Sequence, residues 1–554
     1  MDYRDKLKHS VNSKALALIV LGILVLLNIL SLRYFFRFDW TQNKQYSISD
    51  STVSILHDLD DLVTVKAYFS DDLPPQALPI RQYVQDLLSE YKAYGSGHFD
   101  YEFVDPSTNS DVAQEASGLG VQEIRMQVVE NDSLQVKNGY MGIGLFFGGN
   151  TEGIPVLQAE ELGNLEYDLT SRILKMSQPR EMVVAFLSGH GEHEIGTGVP
   201  FVDQGKDVDY AIAGQQMRAN YAVRTLDFSA GDTLEGVDVL VVAGPKRDLS
   251  DRDIFEIDQY LLQGGKAVFL IDGIDQIEGS ADLIPRQNNL NSLFASLGIQ
   301  VDSNLLLDER NEMANFSQGP GSFFIVPYPP FIRIENFTAH PIVNKIPSFV
   351  GRFISSLSIQ ESDSLQYDQF VKTSPQSWYQ SGSFQANPQS IPPAAPDTTG
   401  PQTFAVSITG LFSPLKSFDR VPVLQKYQED PDTAEYTLEP VTDDPNRQRD
   451  IITEAQAEAS LIVFADSDFA SDASAQGDQA GLVVFLNSVD YLVFGDELIS
   501  IRSKILSGRN MEDLDAGTKS LMKFLGILLI PLMISFWGVL HIWLRRKEEK
   551  LLKL

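Results

Sequence analysis

Residues 237–271 read VDVLVVAGPKRDLSDRDIFEIDQYLLQGGKAVFLI, and this stretch decides the fold class. It opens and closes on apolar segments, 237–242 and 266–271, that have the length of buried strands. Between them, Ser250 and Asp253 are spaced as a helix-capping pair, and the helix is expected to end near Leu262, before two glycines. Strand, helix and strand with short connections predict a βαβ unit with parallel strands.

The same alternation extends outward on both sides. Further apolar runs and helical patterns predict strands at 182–187, 304–307 and 460–464 and helices at 209–220, 290–297 and 480–493. Continuous apolar strands alternating with helices are typical of a parallel sheet covered on both faces. The sequence therefore predicts an α/β domain over residues 180–498, with a Rossmann- or flavodoxin-like parallel sheet.

A β-rich insertion at about 310–455 is expected to interrupt this domain and to reach away from its core. Residues 373–402 are rich in Pro, Ser and Gln and predict either an ordered excursion or a mobile linker. Residues 404–410 (FAVSITG) are β-like, and residues 426–453 are polar and acidic.

Residues 45–178 predict a separate N-terminal α/β domain. Ser49 is placed to cap a helix over 50–59. A strand at 63–69, a helix at 81–94 and a strand at 100–104 form a second βαβ unit, in a thioredoxin-like order. Two β-type runs and a final amphipathic helix follow; these are expected at 124–129, at 140–147 and around Leu162, Leu165, Leu169 and Ile173.

Two apolar stretches, 15–36 and 524–544, have the length of transmembrane helices, about 20 residues. Basic residues precede the first and follow the second, so residues 1–14 and 545–554 are expected in the cytoplasm. Residues 499–523 then form a juxtamembrane segment, and the large middle region lies outside the cytoplasm. A cleaved signal peptide and a buried core helix are the alternatives for these stretches.

Composition limits the classes of function. The 554-residue chain has 75 acidic and 43 basic residues, a formal net charge of −32, and no cysteine. Such an acidic surface repels phosphate backbones, so nucleic-acid binding is not expected. The charge serves either solubility or adaptation to salty surroundings. The lack of cysteine excludes disulfides, thiolate nucleophiles and Cys–zinc sites.

The strongest candidate site is the loop Ser188-Gly189-His190-Gly191-Glu192-His193, which follows the predicted strand 182–187. Ligands of open α/β sheets bind beyond the carboxyl ends of strands. His190, Glu192 and His193 could ligate a metal ion, but their spacing is not that of a zinc helix motif and no further ligand is evident. A hydrogen-bonded turn or a small-ligand pocket are the other interpretations, and neither a metal nor a cofactor is predicted.

Three aspartates, Asp272, Asp466 and Asp468, also follow predicted strands and could converge on His190 and Glu192. Clustered carboxylates can form an acid–base pair or a cation site. Alternatively, each caps a helix or fixes a turn. Ser467 lacks the G-x-S-x-G context of hydrolase nucleophiles.

Nucleotide binding is not indicated. Gly142, Gly144 and the pair Gly148-Gly149 do not have the dinucleotide fingerprint spacing, and the chain lacks a P-loop lysine motif. Any use of ATP would therefore have to come from a partner.

Seven segments together resemble the GldG family of auxiliary components of bacterial ABC transporters, including the gliding-motility type. They are FDWTQNKQYSIS (38–49), NLEYDLTSRILKM (164–176), FLSGHGEHE (186–194), YLLQGGKAVFLIDG (260–273), FADSDFAS (464–471), FLNSVDYLV (485–493) and ISIRSK (499–504). The resemblance implies a GIFT-type domain, related in fold to glutamine amidotransferases (GATase-like) but without their catalytic cysteine. It also implies a permease and a cytoplasmic ATPase as partners, at the inner membrane, with the folded region in the periplasm.

Three functions remain open from the sequence. The first is a non-catalytic transporter subunit whose outer domain binds substrate or partner, and further copies of itself are one alternative among those partners. The second is an exported metal-dependent or hydrolytic enzyme centred on His190, Glu192 and the strand-end aspartates. The third is a structural scaffold of the cell envelope.

Overall fold

The computed structural model describes residues 47–130, 133–198, 208–277, 282–286, 289–319, 322–344, 346–429, 436–441, 448–496, 498–499, 501 and 537–538. The chain divides into two compact units, residues 1–506 and 507–554, and of the second only Trp537 and Gly538 are described, both helical. The predicted span at 15–36, both termini, and nearly all of 499–544 lie outside the described residues. None of the helices within the described ranges has both the length and the apolar character needed to cross a bilayer.

The α-helices of the described residues, in chain order, are α1 (Asp50–His57), α2 (Leu78–Tyr94), α3 (Ser110–Gly118), α4 (Leu165–Ser177), α5 (Ala211–Met217), α6 (Asp251–Leu262), α7 (Leu290–Phe294), α8 (Asp472–Ala475) and α9 (Gln479–Phe494).

The β-strands are β1 (Val63–Phe69), β2 (Phe99–Val104), β3 (Ile124–Glu130), β4 (Ser133–Gly139), β5 (Met141–Phe147), β6 (Asn150–Ile154), β7 (Val183–Leu187), β8 (Ala222–Leu226), β9 (Val239–Ala243), β10 (Lys266–Leu270), β11 (Ile274–Gln276), β12 (Leu283–Pro285), β13 (Ile299–Val301), β14 (Asn304–Leu307), β15 (Asn311–Gly319), β16 (Ser322–Ile334), β17 (Asn336–Phe337), β18 (Phe349–Arg352), β19 (Leu357–Ile359), β20 (Leu365–Lys372), β21 (Trp378–Ser381), β22 (Thr403–Gly410), β23 (Gln425–Glu429), β24 (Tyr436–Pro440) and β25 (Ala459–Phe464).

The N-terminal region contains a four-stranded sheet in the order β2-β1-β5-β6. β1 and β2 are parallel and joined by α2, so the predicted βαβ unit is confirmed. β5 and β6 extend the sheet in antiparallel fashion. The predicted cap is also present, because the Ser49 side chain accepts the Thr52 N–H at the start of α1. α4 packs into the same apolar core through Leu165, Leu169 and Ile173.

A ten-stranded sheet follows, in the order β13-β19-β22-β25-β10-β9-β7-β8, with β20 pairing with β22 and β17 with β20. Its five parallel strands are β8, β7, β9, β10 and β25. Numbered along the chain, they run 2-1-3-4-5, one of the two common orders of doubly wound sheets. The predicted parallel sheet is therefore confirmed for this half. The capping box between Ser250 and Asp253 is confirmed as well.

The other half of this sheet is antiparallel and comes largely from the predicted insertion. Residues 405–410 of β22 pair with the whole of β25, and Phe404, Ala405 and Val406 are fully buried in the main core. The expectation that this region reaches away from the core is therefore wrong for β22. Its mostly apolar sequence lets it cover the edge of β25, which would otherwise expose unpaired backbone groups.

The strand just before the insertion and the remaining strands of the insertion form small sheets. β14 was expected to complete the parallel run, but it pairs with β21 in a separate two-stranded sheet. β15, β16 and β18 form an antiparallel sheet, and β23 pairs with β24. Residues 373–402 follow the ordered alternative: Thr373 accepts the Gln402 N–H, and the Ser377 hydroxyl donates to the Gly400 carbonyl.

The N-terminal region packs directly on the larger sheet domain. Tyr167 of α4 donates to one Asp490 carboxylate oxygen (2.9 Å), and Tyr221 donates to the other (2.6 Å). An apolar cluster beside this contact joins α1 and α4 to the segment after α9, through Ile55, Tyr167, Leu174, Leu498 and Ile501.

Candidate functional site

The predicted loop lies where the strand order of the parallel sheet reverses, between β7 and β9. His193 N–H bonds to the carbonyl of Ala243 at the end of β9, and the N–H groups of Lys246 and Arg247 bond to the carbonyl of His190. Crevices at such switch points are the usual ligand sites of doubly wound sheets. Gly189 and Gly191 have φ values of +115° and +82°, which glycine adopts without strain.

His190 is buried between two carboxylates. Its Nδ1 lies 2.9 Å from Glu192 Oε1, and its Nε2 lies 3.0 Å from Asp253 Oδ2. Burial alone would lower its pKa, but hydrogen bonds to Asp253 and Glu192 outweigh burial and raise the pKa to about 10. Since ionised carboxylates only accept hydrogen bonds, both ring nitrogens donate and His190 is an imidazolium at neutral pH.

Asp253 serves two purposes at once. Its Oδ2 accepts the Ser250 N–H (2.7 Å), which completes the capping box of α6, and it also accepts from His190. The sequence identified the first role but not the second, because a capping spacing carries no information about a histidine 63 residues away.

The β23–β24 hairpin covers this part of the loop. The Tyr427 ring meets the His190 ring edge-on at 5.9 Å. The Arg247 guanidinium lies 4.9 Å from the Tyr427 ring centre and 4.2 Å from that of Tyr436. Glu192 and His190 are therefore shielded from solvent, with side chains 2% and 6% exposed.

His193 belongs to a second group of side chains. Its Nδ1 lies 2.7 Å from Asp209 Oδ2, its Nε2 lies 2.8 Å from Ser467 Oγ, and its ring stacks on Tyr210 at 5.0 Å. Burial would lower its pKa, but the hydrogen bond to Asp209 and the nearby Asp468 and Asp272 carboxylates raise it above the ordinary histidine value.

Ser467, His193 and Asp209 thus have the connectivity of a Ser-His-Asp triad. The serine hydroxyl, however, accepts a hydrogen bond from the histidine, whereas in a catalytic triad it donates one. The Ser467 hydroxyl donates to Asp272 Oδ2 (2.8 Å), so it can only accept from His193. His193 already donates to Asp209, so it carries both ring protons and cannot act as a base. Ser467 is also fully buried.

The three predicted aspartates gather here rather than at His190. Asp272 accepts from both the backbone N–H and the hydroxyl of Ser467, and Asp468 Oδ1 lies 3.5 Å from His193 Nε2. Arg286 contacts Asp272 at 3.5 Å. The convergence predicted on His190 and Glu192 is not observed.

Asp466 and Ser188 bond to the backbone and stabilise local structure. Asp466 Oδ2 accepts the Phe469 N–H (2.8 Å), as expected of an aspartate that fixes a turn. Burial, with the Asp468 and Asp272 carboxylates, raises its pKa well above the ordinary value. The Ser188 hydroxyl donates to the Leu226 carbonyl at the end of β8, away from both histidines.

Asp209, Tyr210 and Asp253 were not among the predicted site residues. Asp209 and Tyr210 immediately precede α5, and only the folded chain brings them to His193. Within the described ranges, no group of three or more His, Asp and Glu side chains is arranged to hold a metal ion.

Comparison with known proteins places the chain in a family. The family model described as "ABC-type uncharacterized transport system" matches residues 181–492, more than half of the chain, and the chain belongs to this family of auxiliary transport components. A second model, "Domain of unknown function (DUF7088)", matches residues 42–145.

The chain is also similar to individual proteins. A Borreliella burgdorferi protein described as "Uncharacterized protein" is 22% identical over 282 residues, which cover 50% of this chain and 52% of the relative. The chain thus spans about half the length of this curated relative. The solved structure "mmIFT52 N-terminal domain" is 13% identical, with a TM-score of 0.33, and the match covers 56% of this chain and 98% of that one.

Proposed function

We propose that this chain is a non-catalytic auxiliary subunit of a bacterial ABC transporter of the GldG type. The family match supports a role in a transport system. The sequence carries no P-loop, so a cytoplasmic ATPase partner would have to supply the energy.

The observation that carries the proposal is the meeting of the two ends of the folded region. Ile55 lies in α1, soon after the proposed first span, and Leu498 and Ile501 precede the proposed second span. All three pack in one apolar cluster with Tyr167 and Leu174. A folded body whose two ends leave from one place can be held twice by a single membrane.

The proposed topology has spans at 15–36 and 524–544, both termini in the cytoplasm and the folded region in the periplasm, at the bacterial inner membrane. The two spans dock on a permease subunit. α1, α4 and the end of α9 share that cluster. A movement of the spans would therefore be transmitted to both the N-terminal domain and the larger sheet domain.

Within this proposal, the N-terminal domain is thioredoxin-like and the larger domain is GATase-like. The crevice between β7 and β9, beside His193 and Asp468, is the proposed place where substrate or partner binds. Its position at the strand-order reversal supports this assignment.

Affinity purification of the full-length chain from solubilised membranes tests the partners. We expect an ABC ATPase and a permease to co-purify. In a matched variant, residues 524–544 are replaced by an unrelated apolar helix of equal length, with the flanking basic residues kept. This variant should stay in the membrane but lose the permease, while the exposed-site control His57→Ala retains both partners. Recovery of the wild-type chain alone contradicts the proposal.

A hydrolytic enzyme is the second candidate, because Ser467, His193 and Asp209 lie at triad distances. The buried hydroxyl and its bond to Asp272 argue against it. Treatment with a fluorophosphonate probe separates the two functions. We expect no labelling of the wild-type chain beyond that of Ser467→Ala, and stoichiometric labelling of Ser467 would establish the enzyme.

A further inference from the structure

One face of the β15–β16 ribbon is largely apolar and exposed. In the register of the ribbon, Met313 of β15 lies opposite Pro327 of β16. Asn315 lies opposite Ile325, and Phe323 is two positions from Ile325 on β16. Residues that are opposite each other, or two apart along a strand, share a face, and these five residues form the outer ribbon face.

The apolar members of this face are exposed together. Met313, Phe323 and Ile325 are 55%, 65% and 55% exposed. Single exposed apolar side chains are common on protein surfaces, but neighbouring ones on one face mark an interaction surface.

The inner face of the ribbon packs on the chain itself. Ala314 is buried. The Phe316 ring stacks on Phe324 at 5.5 Å and meets Tyr328 edge-on at 5.0 Å. Residues 323–328 (FFIVPY) nevertheless form an unbroken apolar and aromatic run, which is typical of strands covered on both faces. Since the described part of the chain leaves the outer ribbon face exposed, we expect another molecule to cover it.

The ribbon is electrically neutral in an acidic chain. Residues 313–332 contain no Asp, Glu, Lys or Arg, whereas the whole chain has a formal net charge of −32. At the base of the ribbon, Glu312 forms an ion pair with Arg333. Arg310 forms another with Glu335 at 2.8 Å. A basic partner would therefore find no carboxylate on the ribbon that lacks a cation of its own.

This neutrality suits a second copy of the same chain. A two-fold contact places a surface against the identical surface, so a carboxylate there would face another carboxylate. Two chains of charge −32 repel each other, and an uncharged face is where that repulsion is smallest. A lipid surface fits less well, because segments that lie on membranes usually carry Lys or Arg beside their apolar residues.

We propose that two copies of this chain associate by packing their outer ribbon faces against each other. Asn315 and Ile325 form the middle pair of that face, so the two Asn315 side chains would lie close to the two-fold axis. The three exposed apolar side chains would bury about 300 Å² per copy, well below the ~800 Å² per partner of a standard interface. The association is therefore weak and depends on the local concentration of the chain.

Thiol cross-linking of the purified full-length chain in detergent tests this proposal and requires no transporter partner. The chain has no cysteine, so Asn315→Cys supplies the only thiol for a short bismaleimide. Tyr94→Cys is the control, because Tyr94 is 50% exposed at the end of α2. At equal labelling by a monofunctional maleimide, we expect at least about tenfold more dimer from Asn315→Cys than from Tyr94→Cys.

A second substitution separates specific packing from chance collision. Ile325→Asp, added to Asn315→Cys, places two carboxylates at the centre of the contact and should reduce the dimer to the level of Tyr94→Cys. Leu62→Asp, added to Asn315→Cys, is the matched control, since Leu62 is 45% exposed just before β1, and should leave the dimer unchanged. Both substitutions are at exposed positions, so neither is expected to disturb folding.

Two results of the cross-linking would overturn the proposal: equal amounts of dimer from Asn315→Cys and Tyr94→Cys, or dimer that persists in the presence of Ile325→Asp. The chain reconstituted into phosphatidylcholine liposomes gives a further test. If the liposomes protect the thiol of Asn315→Cys from a water-soluble maleimide and no dimer forms, lipid covers the outer ribbon face and the proposal is wrong.

Discussion

His190 Nε2 lies 3.0 Å from Asp253 Oδ2, the same carboxylate oxygen that caps α6 through the Ser250 N–H. The loop after β7 is therefore fixed to the helix between β9 and β10 by a buried ion pair. The Glu192 carboxylate accepts a hydrogen bond from the other ring nitrogen, Nδ1, of the imidazolium. The glycine-rich loop thus has a fixed shape at the switch point of the sheet.

Replacing His190 by alanine should lower the free energy of unfolding by about 3–5 kcal/mol at neutral pH. The change leaves the Glu192 and Asp253 carboxylates, 2% and 4% exposed, without their cation. Urea denaturation measures the loss. His57→Ala is the control, because the His57 side chain is 72% exposed and should be neutral within about 0.5 kcal/mol.

The same pair predicts a dependence on pH. The folded-state pKa of His190, about 10, lies above its unfolded value of about 6.5. Its stabilisation is complete below pH ~6.5 and is lost as the pH rises through 10, by about 1.4 kcal/mol per pH unit. Denaturation series between pH 6.5 and 10 should show a shallower decline in His190→Ala than in the wild type. Parallel declines would show that His190 is not charged in the folded chain.

Substitution of Gly244 tests the close approach of His193 and Ser467. A Cβ on Gly244 would lie 2.5 Å from Ser467 Oγ and 2.9 Å from His193 Cδ2, at a φ of +62°. Gly236 is a matched control, since its φ is +72° and nothing lies within 4 Å of an added Cβ. Both alanine variants incur the backbone cost of about 1–2 kcal/mol, and Gly244→Ala should lose a further 1–3 kcal/mol of unfolding free energy. Equal losses in thermal denaturation would count against the packing described.

Asp490 is expected to hold the N-terminal domain against the larger sheet domain. Asp490→Ala removes the acceptor of both the Tyr167 and Tyr221 hydroxyls and should cost about 2–4 kcal/mol, whereas Tyr167→Phe should cost about 1 kcal/mol. Hydrogen exchange should show faster exchange of α4 amides in Asp490→Ala. Asp490→Asn keeps an acceptor oxygen and should fall between the two. Unchanged α4 protection in all three variants would refute the role of Asp490.

Phe404 tests the antiparallel half of the large sheet. Its ring is fully buried against Phe349, Phe464 and Phe469, with ring centres 5.5–6.0 Å away. Phe404→Ala should cost about 3–5 kcal/mol in denaturation, whereas the exposed Phe323→Ala should change little. A small cost for Phe404→Ala would favour a peripheral β22, as the sequence had suggested.

The sequence predicted those elements whose signals are local. The parallel strands are continuous apolar runs, and the capping box of α6 depends on two residues three positions apart. β22 has an equally clear strand pattern, but its partner β25 lies about 50 residues further along the chain. Strand pattern does not specify the partner, so its place in the main sheet was missed.

The candidate site likewise combines features that are local in the sequence with contacts between distant segments. The sequence predicted a glycine-rich turn after a strand, and Gly189 and Gly191 do follow β7 in left-handed conformations. The contact between His190 and Glu192, although local, was not predicted. Asp253, Asp209 and Ser467 come from three distant segments. Only the folded sheet brings those segments together.

By itself, the sequence determined the alternation of strands and helices, the acidic surface, the lack of cysteine chemistry and the two apolar stretches. These follow from residue type and short-range periodicity. The tertiary structure alone decided which carboxylate meets which histidine and in which direction the proton of Ser467 points. It also brought both ends of the folded region to one apolar cluster. Those relationships depend on contacts between residues far apart in the chain, which packing selects and local pattern does not encode.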